Sequence, residues 1–359
     1  MRQYAASTPD KPALIFQDQC LSYAQLLTTV EQTVTVFAEL ELKPGDRIVW
    51  YGMNHPEMLI LLFAAAESGL ILVPLNWRLA LPELQQIVFD CQPAMIFHDQ
   101  HFAAHIPSLR LASDQDCGSL PVQDSAEHDG HLPAFRRESG RRPILPDLAL
   151  DRELMIVYTS GTTGRPKGAV LNHASFLCNA RMSQHMHDLT AADHVLSFLP
   201  LFHVGGFNIQ LLPALLQGAT VTLLEKFDAN TVLQQLDQQA ITLAVVVPTI
   251  LQALLNHPHW DTADLSSLRA LAIGSTDVPV PLIEQTHARG FRCCRFMAPP
   301  KPARWRFISA VTMRSAASAP SANAAVNVPS GWCATGRTWR RVITVKSGCG
   351  CQSAEPLLE

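Results

Sequence analysis

Tyr158-Thr159-Ser160-Gly161-Thr162-Thr163-Gly164-Arg165-Pro166-Lys167-Gly168 follows directly on the apolar run Leu154-Met155-Ile156-Val157. The run reads as the end of a buried strand. Beyond it, Gly161 and Gly164 stand among four hydroxyls, Thr159, Ser160, Thr162 and Thr163, ahead of Lys167. A glycine-rich turn lets backbone N–H groups approach an anion closely, and hydroxyls and a lysine add donors and positive charge. That chemistry suits a polyphosphate. Glycine and threonine are also common in ordinary surface loops, so residue chemistry alone leaves both readings open. The Walker pattern G-x-x-x-x-G-K-[ST] is excluded, because Arg165-Pro166 separates Gly164 from Lys167.

Working outward, strands and helices alternate. On the N-terminal side, Leu21 to Leu42 has a helical apolar pattern (Tyr23, Leu26, Leu27, Val30, Val34, Phe37, Leu40) that Lys43-Pro44-Gly45-Asp46 stops. Strands are expected at 47–51, 70–74 and 94–97, with helices at 56–67 and 81–91. Residues 103–150 are polar and lack periodicity, and read as surface loop or linker. Past the loop, Ala169 to Asn172 suggests a hairpin-like return and 175–189 a helix. Strands follow at 195–200, 219–224, 241–247 and 268–273, with helices at 207–217, 229–239, 249–256 and 280–289. Such alternation predicts an α/β fold with parallel-rich sheets flanked by helices.

Composition narrows the function classes. The 359 residues are 48% hydrophobic and 16% charged, with a net charge of −4 that gives no electrostatic case for nucleic acid or an acidic membrane. The most apolar stretch, Met58 to Val73, is broken by Glu67, Ser68 and Gly69, and Met1 leads into a polar segment, so a cytoplasmic location is expected by default. Five of nine cysteines (Cys293, Cys294, Cys333, Cys349, Cys351) fall in the last fifth without zinc-site spacing, and no metal site is expected from them.

Thr159 through Gly168 match T-S-G-T-T-G-x-P-K-G, the phosphate-loop signature of the adenylate-forming acyl-CoA synthetases. Pro9-Asp10-Lys11-Pro12-Ala13-Leu14, Lys43-Pro44-Gly45-Asp46 and Val73-Pro74-Leu75-Asn76 resemble phrases that this family uses in the same order. The resemblance implies ATP, Mg²⁺ and CoA as cofactors and co-substrates and a carboxylic acid as partner. It also implies that Thr159, Ser160, Gly161, Thr162, Thr163, Gly164 and Lys167 hold the ATP phosphates. Pro200-Leu201-Phe202-His203 resembles the family's P-x-F-H. A histidine at a strand's C-terminal end beside Gly205-Gly206 sits where open α/β sheets bind ligands. On residue chemistry alone a half-buried structural histidine is the simpler account; the resemblance places His203 and Gly205 near the acyl pocket, in a shaping role rather than acid–base chemistry. Gly274 and Ser275, followed by Pro279, resemble the family's G-G-A-x-x-P, which lines the adenine and acyl pocket; Asp277 equally suits a helix cap. Phe227-Asp228-Ala229, Val247-Pro248-Thr249 and 264–269 resemble fatty-acyl and aryl-acid ligases, with a medium- or long-chain fatty acid the first expectation and an aromatic acid the second.

The pattern stops near residue 294, dividing the chain into a partial adenylation domain, 1–294, and a tail, 295–359. The tail holds nine Lys/Arg against two acids, Glu355 and Glu359, and concentrates Ala and Ser in 309–325. One reading is a disordered basic tail on a non-catalytic nucleotide- or acyl-binding remnant, contacting nucleic acid. Another is translation in the wrong frame. Arg295-Phe296-Met297-Ala298-Pro299-Pro300-Lys301-Pro302, back-translated and read from the third base of its first codon, permits Val-Tyr-Gly-Ala-Thr-Glu-Thr. Y-G-x-T-E is the family's next motif, due at this place. The same shift at 342–347 permits Asp-Tyr-Gly-Glu-Val, similar to a later family phrase. The family's adenine-stacking Tyr, Mg²⁺-holding Glu, ribose-binding Asp and lid lysine have no counterpart as translated, so no catalytic residue is assigned and the chain is expected to be inactive.

Overall fold

The computed structural model describes residues 1–122, 148–159, 166–274, 278–290, 292–295 and 310–311. Along the chain, α1 (Arg2–Ser7) leads to the hairpin β1 (Pro12–Phe16) and β2 (Gln19–Ser22), then α2 (Tyr23–Glu39). Next come β3 (Arg47–Tyr51), α3 (Pro56–Ser68), β4 (Ile71–Pro74), α4 (Leu81–Cys91) and β5 (Met95–Asp99). A 3₁₀ turn (Gln100–His105), α5 (Ile106–Arg110) and β6 (Gly118–Val122) follow. The strands on either side of the glycine-rich segment are β7 (Glu153–Thr159) and β8 (Lys167–Asn172), succeeded by α6 (His173–His187) and β9 (His194–Ser197). A helix then runs as α7 (Val204–Gly206), a π-helical turn (Phe207–Leu211) and α8 (Leu212–Gln217). The rest is β10 (Thr220–Leu223), α9 (Ala229–Gln238), β11 (Leu243–Val246), α10 (Pro248–Leu255), β12 (Ala270–Ile273), α11 (Val280–Ala288), β13 (Arg292–Arg295) and β14 (Ala310–Val311).

Two sheets result. One has the order β14-β13-β12-β11-β9-β10-β1-β2, the other β6-β5-β3-β4-β7-β8. Pairing is parallel throughout except for β1/β2, β7/β8 and β13/β14. The expected elements are present, within a few residues at their ends. The expectation of loop across 103–150 needs correction: α5 lies inside it, and β6 adds a parallel edge strand to β5, pairing Met95 with Gly118 through Asp99 with Val122. An edge position tolerates its Gly118 and Pro121. Residues 123–147 lie outside the described residues.

Local chemistry explains the element boundaries. Ser22 and Gln25 form a reciprocal capping box that starts α2, whose Tyr23, Leu26, Val30, Val34 and Phe37 are buried. By contrast, α3 is buried on nearly every side, as a helix within a core must be. Its Met58 to Leu62 share one apolar cluster with strands of both sheets, among them Leu14, Val195 and Val221 of one and Ile48, Phe97 and Met155 of the other. Lys11, in a phrase the sequence singled out, donates from Nζ to Ala191 O and to Gly218 O (2.5 Å), and so caps the loop and helix ends around β10. Arg269 grips Asp193 through both carboxylate oxygens (2.8 and 2.9 Å) while donating to His187 O (2.7 Å) and Asp188 O (2.9 Å) at the end of α6. No described helix is long and apolar enough to cross a membrane.

Where the two sheets meet, Asn54 joins them. It follows β3 and is 3% exposed, so each polar atom needs a protein partner. Nδ2 donates to Leu199 O and Leu224 O (both 3.1 Å), Oδ1 accepts from Leu201 N–H (2.9 Å), and Asn54 N–H donates to Glu225 O (3.2 Å). Removing the side chain strands two carbonyls and one N–H. Asn54→Ala is expected to cost about 3 kcal/mol, read as a lowered denaturation midpoint, and Asn54→Asp to be nearly as damaging because a carboxylate cannot donate to the two carbonyls.

Acid should weaken the fold well before carboxylates protonate. Burial lowers the pKa of His98, His173, His194 and His203, and lowers that of His187 to about 4. Each group takes up a proton less readily when folded than unfolded. The stability it contributes is therefore present above the unfolded value near 6.5 and is lost as pH falls through that value toward the folded one. Between pH 6.5 and 4, His187 alone accounts for a loss on the order of 3 kcal/mol. Thermal melts across this window are expected to slope downward with acid, and less steeply for His187→Leu.

Candidate functional site

The strand ends β9, β10, β11 and β12 all point the same way, because they are mutually parallel. Their C-terminal ends therefore form one edge, where an open α/β sheet places its ligand. The loop 200–203, Leu224, Val247 and Gly274 leave from that edge, and Gly274 N–H extends the ladder to Val246 O at 3.1 Å. Asn54 holds the Leu199 and Leu201 ends of the β9 loop against it.

His203 sits at the tip of this loop, open to solvent on one side and with its basicity lowered by surrounding protein. Its Nδ1 accepts the Gly205 N–H (3.2 Å), which makes it the N-cap of α7. Of the two glycines that follow, Gly205 was singled out by the sequence, but Gly206 is the sterically demanding one. A Cβ on Gly205 would meet nothing nearer than His203 Nδ1 at 3.5 Å. On Gly206 it would collide with Pro200 O and lie 2.6 Å from the Pro200 carbonyl carbon. The helix thus starts flush against the loop that carries His203.

The next turn departs from α geometry for a reason outside its own sequence. Asn179 Nδ2 on α6 donates to Asn208 O (2.5 Å), and Ser183 Oγ donates to Ile209 O. Side chains that compete for carbonyls open a helix locally, and π turns of this kind concentrate at functional sites. Because α6 follows β8 directly, the same helix that grips this turn is continuous with the β7–β8 hairpin.

In that hairpin Thr159 ends β7 opposite Lys167 at the start of β8, both exposed, so the lysine stands at the mouth of the loop. Tyr158 pairs with Gly168, and a Cβ there would lie 2.7 Å from Ile156 Cγ2 and 3.2 Å from Tyr158 Cζ. The last glycine of the signature therefore makes room for two side chains of the facing strand. Tyr158 Oη donates to Asp90 Oδ2 (2.5 Å). Ser160, Gly161, Thr162, Thr163 and Gly164 of the loop, and Ser275 beside Gly274, lie outside the described residues. Asn54 escaped the sequence reading, and Gly206 entered it only as the neighbour of Gly205. Asn54 carried one usable signal, a polar residue just past the C-terminal end of a buried strand.

A family model described as AMP-binding enzyme matches residues 1–298. The chain belongs to the AMP-binding enzyme family. Among curated relatives, it is 42% identical over 291 residues to the indoleacetate–CoA ligase of Aromatoleum aromaticum, covering 80% of this chain and 56% of that protein. It is 29% identical over 286 residues to the long-chain-fatty-acid–CoA ligase FadD13 of Mycobacterium tuberculosis, covering 79% and 56%. The chain spans about half the length of the curated relatives it matches. Its structure superposes on the N-terminal domain of FACL13 from Mycobacterium tuberculosis with a TM-score of 0.75 and 26% identity, over 83% of this chain and 74% of that one.

The contrast between the two glycines is measurable. Gly206→Ala is expected to lower stability by about 2–4 kcal/mol, as overpacking against backbone does, and Gly205→Ala to change it by less than about 1 kcal/mol; denaturant midpoints of the two variants decide it.

Proposed function

We propose that this is the adenylation domain of an enzyme that activates a carboxylic acid with ATP, and that the acid is aromatic before it is fatty. The carboxylate oxygen attacks the α-phosphate of ATP, forming an acyl-adenylate and releasing pyrophosphate; the CoA thiol then displaces AMP to give the thioester. The observation that carries the proposal is the β7–β8 hairpin, with Lys167 held opposite Thr159 at the mouth of a glycine- and hydroxyl-rich loop. Charge neutralisation and positioning dominate such transfers. Thr159, Ser160, Thr162, Thr163 and the loop N–H groups hold the β- and γ-phosphates, Lys167 balances their charge, and His203, Gly205, Gly274 and Ser275 border the acid and the adenine. Mg²⁺, which the resemblance implies, would be held in part by a Glu that has no counterpart in 295–359 as translated; among the described residues no group of three or more His, Cys, Asp or Glu side chains is placed to hold a metal ion. The order of acids follows the relatives: identity to the indoleacetate ligase is 42%, and to the fatty-acid ligase 29%.

The tail from 295 belongs to the same proposal. The family match stops at 298, close to the point where the shifted frame begins to permit Y-G-x-T-E. With 295–359 out of frame, the chain binds ATP and acid without turning them over. Two measurements test this. The codons for 295–302 are expected to spell Y-G-x-T-E in the shifted frame; codons that cannot do so overturn the frame proposal. The 359-residue chain is expected to bind ATP, about tenfold more weakly as Lys167→Ala, and to release no AMP with indole-3-acetate and CoA. The frame-restored product is expected to release it. AMP release by the 359-residue chain would show that the tail does not disable it, and failure to bind ATP would remove the proposal altogether.

A further inference from the structure

The π turn carries an unexplained side chain. Gln210 is 2% exposed, and neither its Oε1 nor its Nε2 has a hydrogen-bond partner among the described residues. Two residues earlier, the Oδ1 of Asn208 is buried and equally unmet. These atoms are closed off from solvent while the turn is packed, so packing strips an amide of water and gives nothing back. Opening the turn returns the amide to water. Packed and opened states are therefore closer in free energy here than in a turn without such a group.

The two flanks of the turn are held unequally. On the far side α8 is pinned, with Tyr23 Oη against Leu215 O (3.2 Å) and Ala219 O (2.7 Å) and Lys11 Nζ donating to Gly218 O (2.5 Å). On the near side, 202–205 are half-buried or exposed, and their bonds are local: His203 Nδ1 accepts the Gly205 N–H (3.2 Å) and His203 O the Gly206 N–H (2.9 Å). Just ahead of them Leu201 is fastened by Asn54. The loop thus runs from a fixed point at Leu201 to a turn with a reason to open. We propose that the turn 207–211 is a hinge for the loop that carries His203, and that the buried amide of Gln210 sets how often it opens. Asn179 and Ser183 are its catch, because their bonds to Asn208 O and Ile209 O break at each opening. The proposal stands whichever acid the protein takes.

Hydrogen exchange of the unliganded 359-residue chain, read residue by residue by mass spectrometry, tests this. The Gly205 and Gly206 N–H groups report on the loop, and the Leu212 N–H, bonded to Phe207 O, reports on the turn. Leu201 N–H, on Asn54 Oδ1, and Ala219 N–H, on Ala214 O, report on the fixed ends. Relative to intrinsic rates, the first three are expected to exchange at least about tenfold faster than the last two. Gln210→Leu has no amide to strand. It is expected to slow the three together by about tenfold, to leave Leu201 and Ala219 unchanged, and to keep the thermal midpoint level or raise it. Should Gln210→Leu not fold, Gln210→Met takes its place. Uniform protection across 201–219 in the wild-type chain overturns the proposal, as does exchange of the three amides that the substitution leaves unchanged. Slowing of Leu212 alone overturns it too, since the turn would then open without carrying the loop.

Discussion

Everything at the ligand edge depends on one buried amide, Asn54. Two mostly parallel sheets share an apolar cluster around α3, but apolar contact is non-directional and does not by itself fix how strand ends line up. Hydrogen bonds do. Asn54 leaves the six-stranded sheet after β3 and bonds to backbone groups of Leu199, Leu201 and Leu224 at the ends of β9 and β10 in the other sheet. Its carbonyl oxygen and both amide hydrogens are used. Nothing smaller spans the gap, and nothing charged matches the mixture of donors and acceptor. The loop bearing His203 begins between two of these bonds, so its placement is set from the opposite sheet.

A second line of control runs through α6. The helix begins where β8 ends, its middle holds the π turn through Asn179 and Ser183, and its C-terminus is gripped by Arg269. The β7–β8 hairpin, the π turn and the start of β12 are thus attached to one helix. Burial alone would raise the Asp193 carboxyl; hydrogen bonds from Arg269, Thr242 and the Thr190 N–H outweigh it and hold the group below the ordinary carboxylate range. The pair stays charged at neutral pH, and the helix end stays capped.

Much of this was legible in the residues before any coordinates. Apolar periodicity located α2, and short buried runs located β3, β4, β9 and β11, because in an α/β core the pattern of burial is the fold. Several phrases that resembled the family turn out to have local physical work: Asp228 caps α9 through the Thr231 N–H, Asp46 accepts the Lys43 N–H to close the turn after α2, and Arg269 pairs with Asp193. What stayed hidden depends on partners far away in sequence. β6 carries Gly118 and Pro121, and only its edge position makes them tolerable. The π turn is opened by residues 26 to 29 positions earlier. Asn54 finds its side-chain partners 145 to 170 positions later, and no local pattern announces them.

The cap on α7 limits what His203 does chemically. A ring nitrogen that accepts a hydrogen bond carries no proton, so Nδ1 is committed to the Gly205 N–H and the neutral ring bears its single hydrogen on Nε2. Toward the open side of the loop the imidazole is then a donor only. It can orient a carboxylate oxygen by giving it a hydrogen bond, and it cannot take a proton from anything without first releasing the end of its own helix.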